Sequence, residues 1–280
     1  MIEDNHKLKL VVFLRKYGRV LLGGSIIVAV LLCAIMAPVL TRHDPYEVNL
    51  AIAKLTPNAE HALGTDIYGR DLWARIIYGS RATLLVAVGS QILTVASGAV
   101  LGLLCGYYSK VEKFLMRFLD AFATIPSLLL SLLMVSILGG SVINLILAMS
   151  ISAIPGCARM VRNQVLSLRE REFIESEKAM GASDVRTIFL HILPHCSSYL
   201  IVEFTSGLAG AVLSMTSLAY LGVGLSATIP SWGGIIQEGQ SVLFSSPHVI
   251  LFASLAICIT IFGFSVLGDG VRDLLDPKLR

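Results

Sequence analysis

Six stretches of this chain run for 19 to 26 residues with almost no charged side chain: about 20–40, 82–107, 121–139, 141–159, 199–224 and 248–268. An α-helix rises about 1.5 Å per residue, so roughly 20 apolar residues cover the ~30 Å hydrocarbon layer of a bilayer. In that layer every backbone N–H and C=O must find its partner inside the protein, which leaves helices or a closed barrel. Barrel strands would alternate apolar and polar residues over short segments, and these runs do not alternate. The expected fold is therefore all-α, a polytopic membrane protein with six transmembrane helices. A mean hydropathy of +0.77 with only 15% charged residues excludes an ordinary soluble domain.

The basic residues orient the spans. Seventeen Lys and Arg fall in the N-terminal tail, residues 108–120, residues 159–198 and the C-terminal tail. Four (Arg42, Lys54, Arg70 and Arg75) fall on the opposite side, with Arg81 at a boundary. Loops rich in Lys and Arg stay cytoplasmic. Both termini and the segment 159–198 are expected in the cytoplasm, with loops 41–80 and 225–247 outside. The first apolar run follows a basic tail, as in a secretion signal, but it is of spanning length and lacks a small-x-small cleavage pattern before Pro38, so an uncleaved span is expected. The net charge of +3 reflects this topology and indicates no nucleic-acid partner. Five cysteines, an odd number with no CxxC, suggest neither a disulfide framework nor a zinc site.

Gly98, Gly102 and Gly106 recur every fourth residue along one face of the second span, a pattern that lets another helix approach closely. Pro126 and Pro155 fall inside the third and fourth spans, where each removes a helical hydrogen bond and is expected to kink its helix. Glu203, about one turn into the fifth span, is costly in a membrane and is a functional candidate on that ground. Asp120 and Asp269 lie at cytoplasmic ends of spans, where solvation or pairing is expected.

The middle of so apolar a chain carries the polar stretch "REREFIESEKAMGASDVRTIFLHILPH", residues 169–195. Val161, Val165, Leu168, Phe173, Ile174 and Met180 recur at helical spacing. Gly181 breaks that helix, and Ser183 can cap a second one running to about His191, after which Pro194 leads into the fifth span. An amphipathic elbow of this kind either lies on lipid or fills a groove on another protein. A surface helix favours a one-sided cationic face. Here Glu170, Glu172, Glu175, Glu177 and Asp184 are mixed with the bases, which suits a protein groove.

These residues resemble a known motif. Glu175, Ala179, Gly181, Ala182, Ile188, His191, Leu193 and Pro194 resemble the EAA loop of ABC importer permeases, with Ser176 and Glu177 at the two alanine positions. "LGTDIYGRDLWARIIYGSR" (63–81), with Gly64, Thr65, Asp66, Gly69, Arg70 and Asp71, resembles the external signature of dipeptide, oligopeptide and nickel permeases, with Ala74 for the usual Ser. "PSWGG" (230–234) and "LGDGVRDLLDPKLR" (267–280) resemble that subfamily's late loop and tail. The resemblance implies a type I ABC importer permease fold. It divides the chain into a cytoplasmic tail 1–19, a first span with external loop 20–80, a five-span permease core 81–270 with a coupling loop at about 160–198, and a tail 271–280. It implies a bacterial or archaeal inner membrane protein beside a second, homologous permease subunit, two cytoplasmic ATPase subunits and an extracytoplasmic solute-binding protein. The implied cargo is a di- or oligopeptide, with nickel or a metal chelate as the alternative. In the family this chain resembles, many peptide members carry a carboxylate at the positions of Ser214 or Met215, and its absence here slightly raises the nickel or metal-chelate alternative.

No GxxxxGK[ST] occurs, so no phosphate cradle is expected on this chain. No catalytic residue and no cofactor are assigned to it; ATP and Mg are expected on the ATPase subunits. No metal ligand is assigned either. His191 and His195 share a helical spacing with Pro194 between them, and in the other loop the set His43, His61 and Asp66 is weaker than the motif reading of Asp66. A stand-alone secondary transporter would show inverted repeats and midmembrane charge, and neither is visible.

Overall fold

The computed structural model describes residues 2–226 and 228–275. The last five residues of the tail 271–280, with Lys278, lie outside them.

Asp71 sets the start of the second span. Its carboxylate accepts from Ala74 N at 2.7 Å, a side-chain cap on one of the orphan donors of a helix N-terminus. Helix α3 then runs from Leu72 to Tyr107, 36 residues. The second span therefore begins about ten residues before the expected 82. Residues 72–81 look like loop by their charges, yet Leu72, Ala74, Ile76 and Ile77 are buried and Arg75 is buried among ion partners.

Around α3 stand α1 (Ile2–Ile35), α6 (Val142–Arg169), α9 (Leu193–Tyr220) and α11 (His248–Leu275), with the short α2 (Ala37–Leu40) after the first span. Among the described residues five helices are long and apolar enough to cross a membrane, or six if one bent pair is counted as a crossing. Close approach is bought with glycine. A Cβ on Gly98, Gly102 or Gly106 would stand 2.5–2.6 Å from Cys157, Val161 or Val165 of α6. The α1–α11 contact uses the same device, with Gly23 against the Leu267 backbone and Gly270 against Val20. One apolar cluster joins α1, α3, α6, α9 and α11. A second joins the lower ends of α3 and α6 to the polar middle segment through Val161, Val165, Ile174, Ile188 and Ile192. Leu85, Ile92, Val100, Leu251 and Leu255 face outward and are half exposed or more, as lipid-facing side chains are.

The third span departs from expectation. Residues 121–139 do not form one kinked helix. Helix α4 (Ser109–Ala123) ends, three residues intervene, and α5 (Ser127–Leu138) leaves at 87°. Pro126 is the residue before α5 rather than a kink inside a helix. A proline has no N–H to give and disfavours helical backbone in the residue before it, so it stops α4 and starts α5. At 12 residues, α5 rises about 18 Å, well short of a full crossing. Pro155, by contrast, lies buried within an unbroken α6.

The elbow is also differently joined. Helix α7 (Glu172–Ala179) precedes Gly181, whose φ is +81°, and α8 (Asp184–Arg186) follows with Ser183 Oγ accepting from Arg186 N at 3.4 Å. No break follows His191. A π-helical turn, Thr187–Ile192, carries α8 straight into α9, making one helix from Asp184 to Tyr220. The wider turn, with Leu193 N bonded to Ile188 O, makes room just where Pro194 cannot donate.

Candidate functional site

Between α3, α5, α6 and α9 lies a cavity of about 220 Å³ with small polar walls. Ser90, Gln91 and Thr94 come from α3, Ser131 from α5, Ser152 from α6, and Glu203, Gly207 and Ser214 from α9. The hydroxyls are satisfied locally: Thr94 donates to Ser90 O at 2.8 Å and Ser131 Oγ lies 2.7 Å from Ser152 Oγ. Gln91 crosses the gap because position 207 is glycine; a Cβ there would stand 2.1 Å from Gln91 Nε2. That amide donates to the Glu203 backbone carbonyl at 3.0 Å. Glu203 is the one ionisable residue in the lining, and its carboxylate has no hydrogen-bond or ion-pair partner among the described residues. Met215, beside Ser214, is buried in the core.

The elbow presents a different chemistry. It is pinned to the helix bundle at two points: Tyr107 Oη donates to Asp184 at 2.7 Å, and Arg169 reaches the Tyr107 carbonyl at 3.3 Å. Ile174, Ile188 and Ile192 point inward and are buried. Thr187 is buried with them, while most of the other described side chains of the elbow are exposed. Glu175, Ala179, Gly181 and Pro194 are exposed, Ala182 and His191 half-buried. His191 Nε2 stands 3.3 Å from Glu177, and Phe173 stacks on His195 at 5.2 Å. Met180, Val185, Phe189 and Leu190 are each more than half exposed, an apolar strip beside acidic residues. Exposed apolar side chains grouped on a polar segment are what a contact surface requires.

The loop after the first span folds into a cap. Asp66 Oδ1 accepts from Tyr68 N and Arg70 N, at 2.8 and 3.0 Å, and its other oxygen takes Arg70 Nε at 2.6 Å. Arg75 stands 3.4 Å from the same oxygen. Glu238, from α10 (Trp232–Gly239), closes the set at 2.5 Å from Arg70 and 3.3 Å from Arg75. Two carboxylates and two guanidiniums thus meet, all buried, with no net charge. Burial pushes the Glu238 carboxyl above its ordinary range, against the pull of Arg75 and Arg70. Thr65 Oγ1 donates to Ile52 O and accepts from Leu55 N. Gly64 and Gly69 have φ of +79° and +73°, and a Cβ on Gly69 would stand 1.8 Å from Asn49 O. Trp232 is buried and donates to Ile76 O at 2.9 Å. The motif residues of the cap are therefore turned inward. The sequence reading missed Glu238. The available signal was an acid six residues after the Trp232 motif, in a loop without a base, with Arg70 and Arg75 in need of counter-charges.

Residues 98–280 match the family described as binding-protein-dependent transport system inner membrane component. The chain belongs to this family. Similar relatives cover nearly all of this inner membrane component. The dipeptide transport system permease protein DppC of Alkalihalophilus pseudofirmus is 39% identical over 95% of this chain and 88% of its own length. The oligopeptide transport system permease protein OppC of Bacillus subtilis is 36% identical over 93% and 86%. The glutathione transport system permease protein GsiD of Salmonella paratyphi A is 37% identical over 96% and 90%. Among solved structures, an inward-facing conformation of the MetNI methionine ABC transporter aligns with a TM-score of 0.60 at 21% identity. It covers 72% of this chain and 96% of that one. That likeness supports the type I ABC importer permease fold. Family membership and the spans make this a multi-pass inner membrane protein.

Proposed function

We propose that this chain is a permease subunit of a peptide-type ABC importer, lining half of a path that a second, homologous permease completes. The observation that carries this is the pairing of a small polar cavity inside the membrane-spanning bundle with an outward-facing elbow continuous with a cavity helix. The elbow residues Glu175, Ala179, Gly181, Ala182, His191 and Pro194 form the coupling surface for cytoplasmic ATPase subunits, which bind ATP and Mg. ATP-driven closure of those subunits moves the elbow, and α9 moves with it. The cap faces the extracytoplasmic side, where a solute-binding protein delivers cargo, and both termini are cytoplasmic. Peptide is the substrate class because the relatives are named for dipeptide, oligopeptide and glutathione transport, all amide-linked amino-acid chains. The nickel alternative gains no support from them.

The test is reconstitution. With both permeases, the ATPase subunits and the binding protein in liposomes, labelled di- and oligopeptides should accumulate only with ATP and only with the complete set. Uptake without the ATPase subunits would overturn the reading. Orientation is checked in intact cells: Asn58→Cys should react with an impermeant maleimide, and Glu170→Cys should react only after lysis.

A further inference from the structure

The cap holds a second cluster whose chemistry is unrelated to its ion network. His43, His61 and Asp71 each offer one ligand atom, and the three atoms lie within 4.8 Å of one another. His61 and Asp71 are buried and His43 is half-buried. They line a pocket of about 150 Å³ in which Asp44, Glu47 and Glu60 also take part, and no Lys or Arg is in its lining. Four carboxylates and two imidazoles without a basic residue form a site with unsatisfied negative charge.

We propose that this pocket binds a divalent transition cation of the zinc class, through His43, His61 and Asp71. The pair His61 Nδ1 and Asp71 Oδ2 is 2.9 Å apart, a distance that suits a shared proton. It is also within about half an ångström of the roughly 3.3 Å that separates two ligands of a tetrahedral ion with bonds of about 2.0–2.1 Å. His43, whose ligand atom lies within 4.8 Å of the other two and whose Nε2 now stands 3.2 Å from Glu60 O, would close the set by moving in by on the order of 1 Å. Imidazole donors select zinc, copper or nickel over calcium and magnesium, which prefer oxygen alone. The cluster is well supported: Asn58 Oδ1 accepts from both Glu60 N and His61 N, at 2.9 and 2.8 Å, and Asp71 is held by its capping bond. The ion would clamp the segment after the first span to the start of the second, a strut within the cap that is separate from cargo selection.

The probe is zinc itself, on the full-length chain in its permease pair, purified without a polyhistidine tag, stripped with chelator and placed in nanodiscs. One zinc per chain should bind with micromolar or tighter affinity, raise the thermal midpoint, and on cobalt substitution give a visible absorption band of nitrogen-coordinated metal. His43→Ala should weaken binding at least 100-fold and abolish the zinc-dependent rise in midpoint. The His61–Asp71 pair is untouched, and His43→Ala loses only its ring contact with His61 and its contact with Glu60 O, so its metal-free midpoint should fall by no more than a few degrees. Equal zinc binding by wild type and His43→Ala, or no binding by wild type at 100 μM zinc, would overturn the proposal and leave His61–Asp71 a plain hydrogen-bonded pair.

Discussion

The cap and the elbow are both short, polar and marked by glycine, yet they turn their polar groups in opposite directions. In the cap, the side chains of Asp66, Arg70, Arg75 and Glu238 face one another, each less than a tenth exposed. In the elbow, Glu172 and Glu175 face solvent. The glycines tell the same story. A side chain on Gly69 would drive into the Asn49 carbonyl, whereas one on Gly181 would meet nothing within 4 Å. Two motifs that look alike in one dimension thus do different work. The cap's residues are consumed by the fold, and the elbow's are left for something outside it.

That contrast can be broken by mutation, and the expected losses of stability fall in order. Asp66→Ala leaves Arg70 and Arg75 short of a counter-charge inside the cap. Removing one partner of a buried pair costs about 3–5 kcal/mol, and folded yield and thermal midpoint should both collapse. Gly69→Ala combines a positive φ with a clash against backbone, so about 2–3 kcal/mol is expected from the same melting assay. Gly181→Ala suffers the φ alone, about 1 kcal/mol and confined to the elbow. Its midpoint should stay within a few degrees of wild type, while peptide-stimulated ATP hydrolysis by the assembled transporter falls several-fold. Glu175→Lys touches nothing buried and should change stability by no more than about 0.5 kcal/mol. It should nonetheless reduce co-purification of the ATPase subunits. Should Glu175→Lys and Gly181→Ala both couple normally, the elbow is no transmission surface and the contrast fails. Should Asp66→Ala melt like wild type, the buried ion set is not what holds the cap.

Five of the six expected long apolar helices, the glycine face of α3 and the break at Gly181 were legible because each depends on local composition and spacing. The misses came where one local signal overrode another. Apolar content joined 121–123 to 127–139 in one run, and only the backbone demands of Pro126 separate them. His191 followed by Pro194 looked like a helix end, and a π turn absorbed the proline instead. The charges of 72–81 looked like loop because their partners come from other segments: Asp66 and Glu238 for Arg75, the Ala34 and Ile35 carbonyls for Arg81. Glu238 itself was invisible for the same reason: its role is set by residues more than 160 positions away. The polar cavity is likewise a property of four helices together, and no single serine announces it.

The unbroken course from Asp184 to Tyr220 gives the elbow a mechanical reach. Its 37 residues make a rod of about 55 Å. Pivoting such a rod by 10° about one end sweeps the other through about 10 Å. Glu203 stands about midway along it, so the same pivot carries its carboxylate through roughly half that arc, enough to widen or shut a passage the size of an amino-acid side chain. The π turn at 187–192 is the one place where the rod's hydrogen-bond ladder changes pitch. It sets where the rod yields first, and so how much of a push at one end is lost as bending before it arrives at the other.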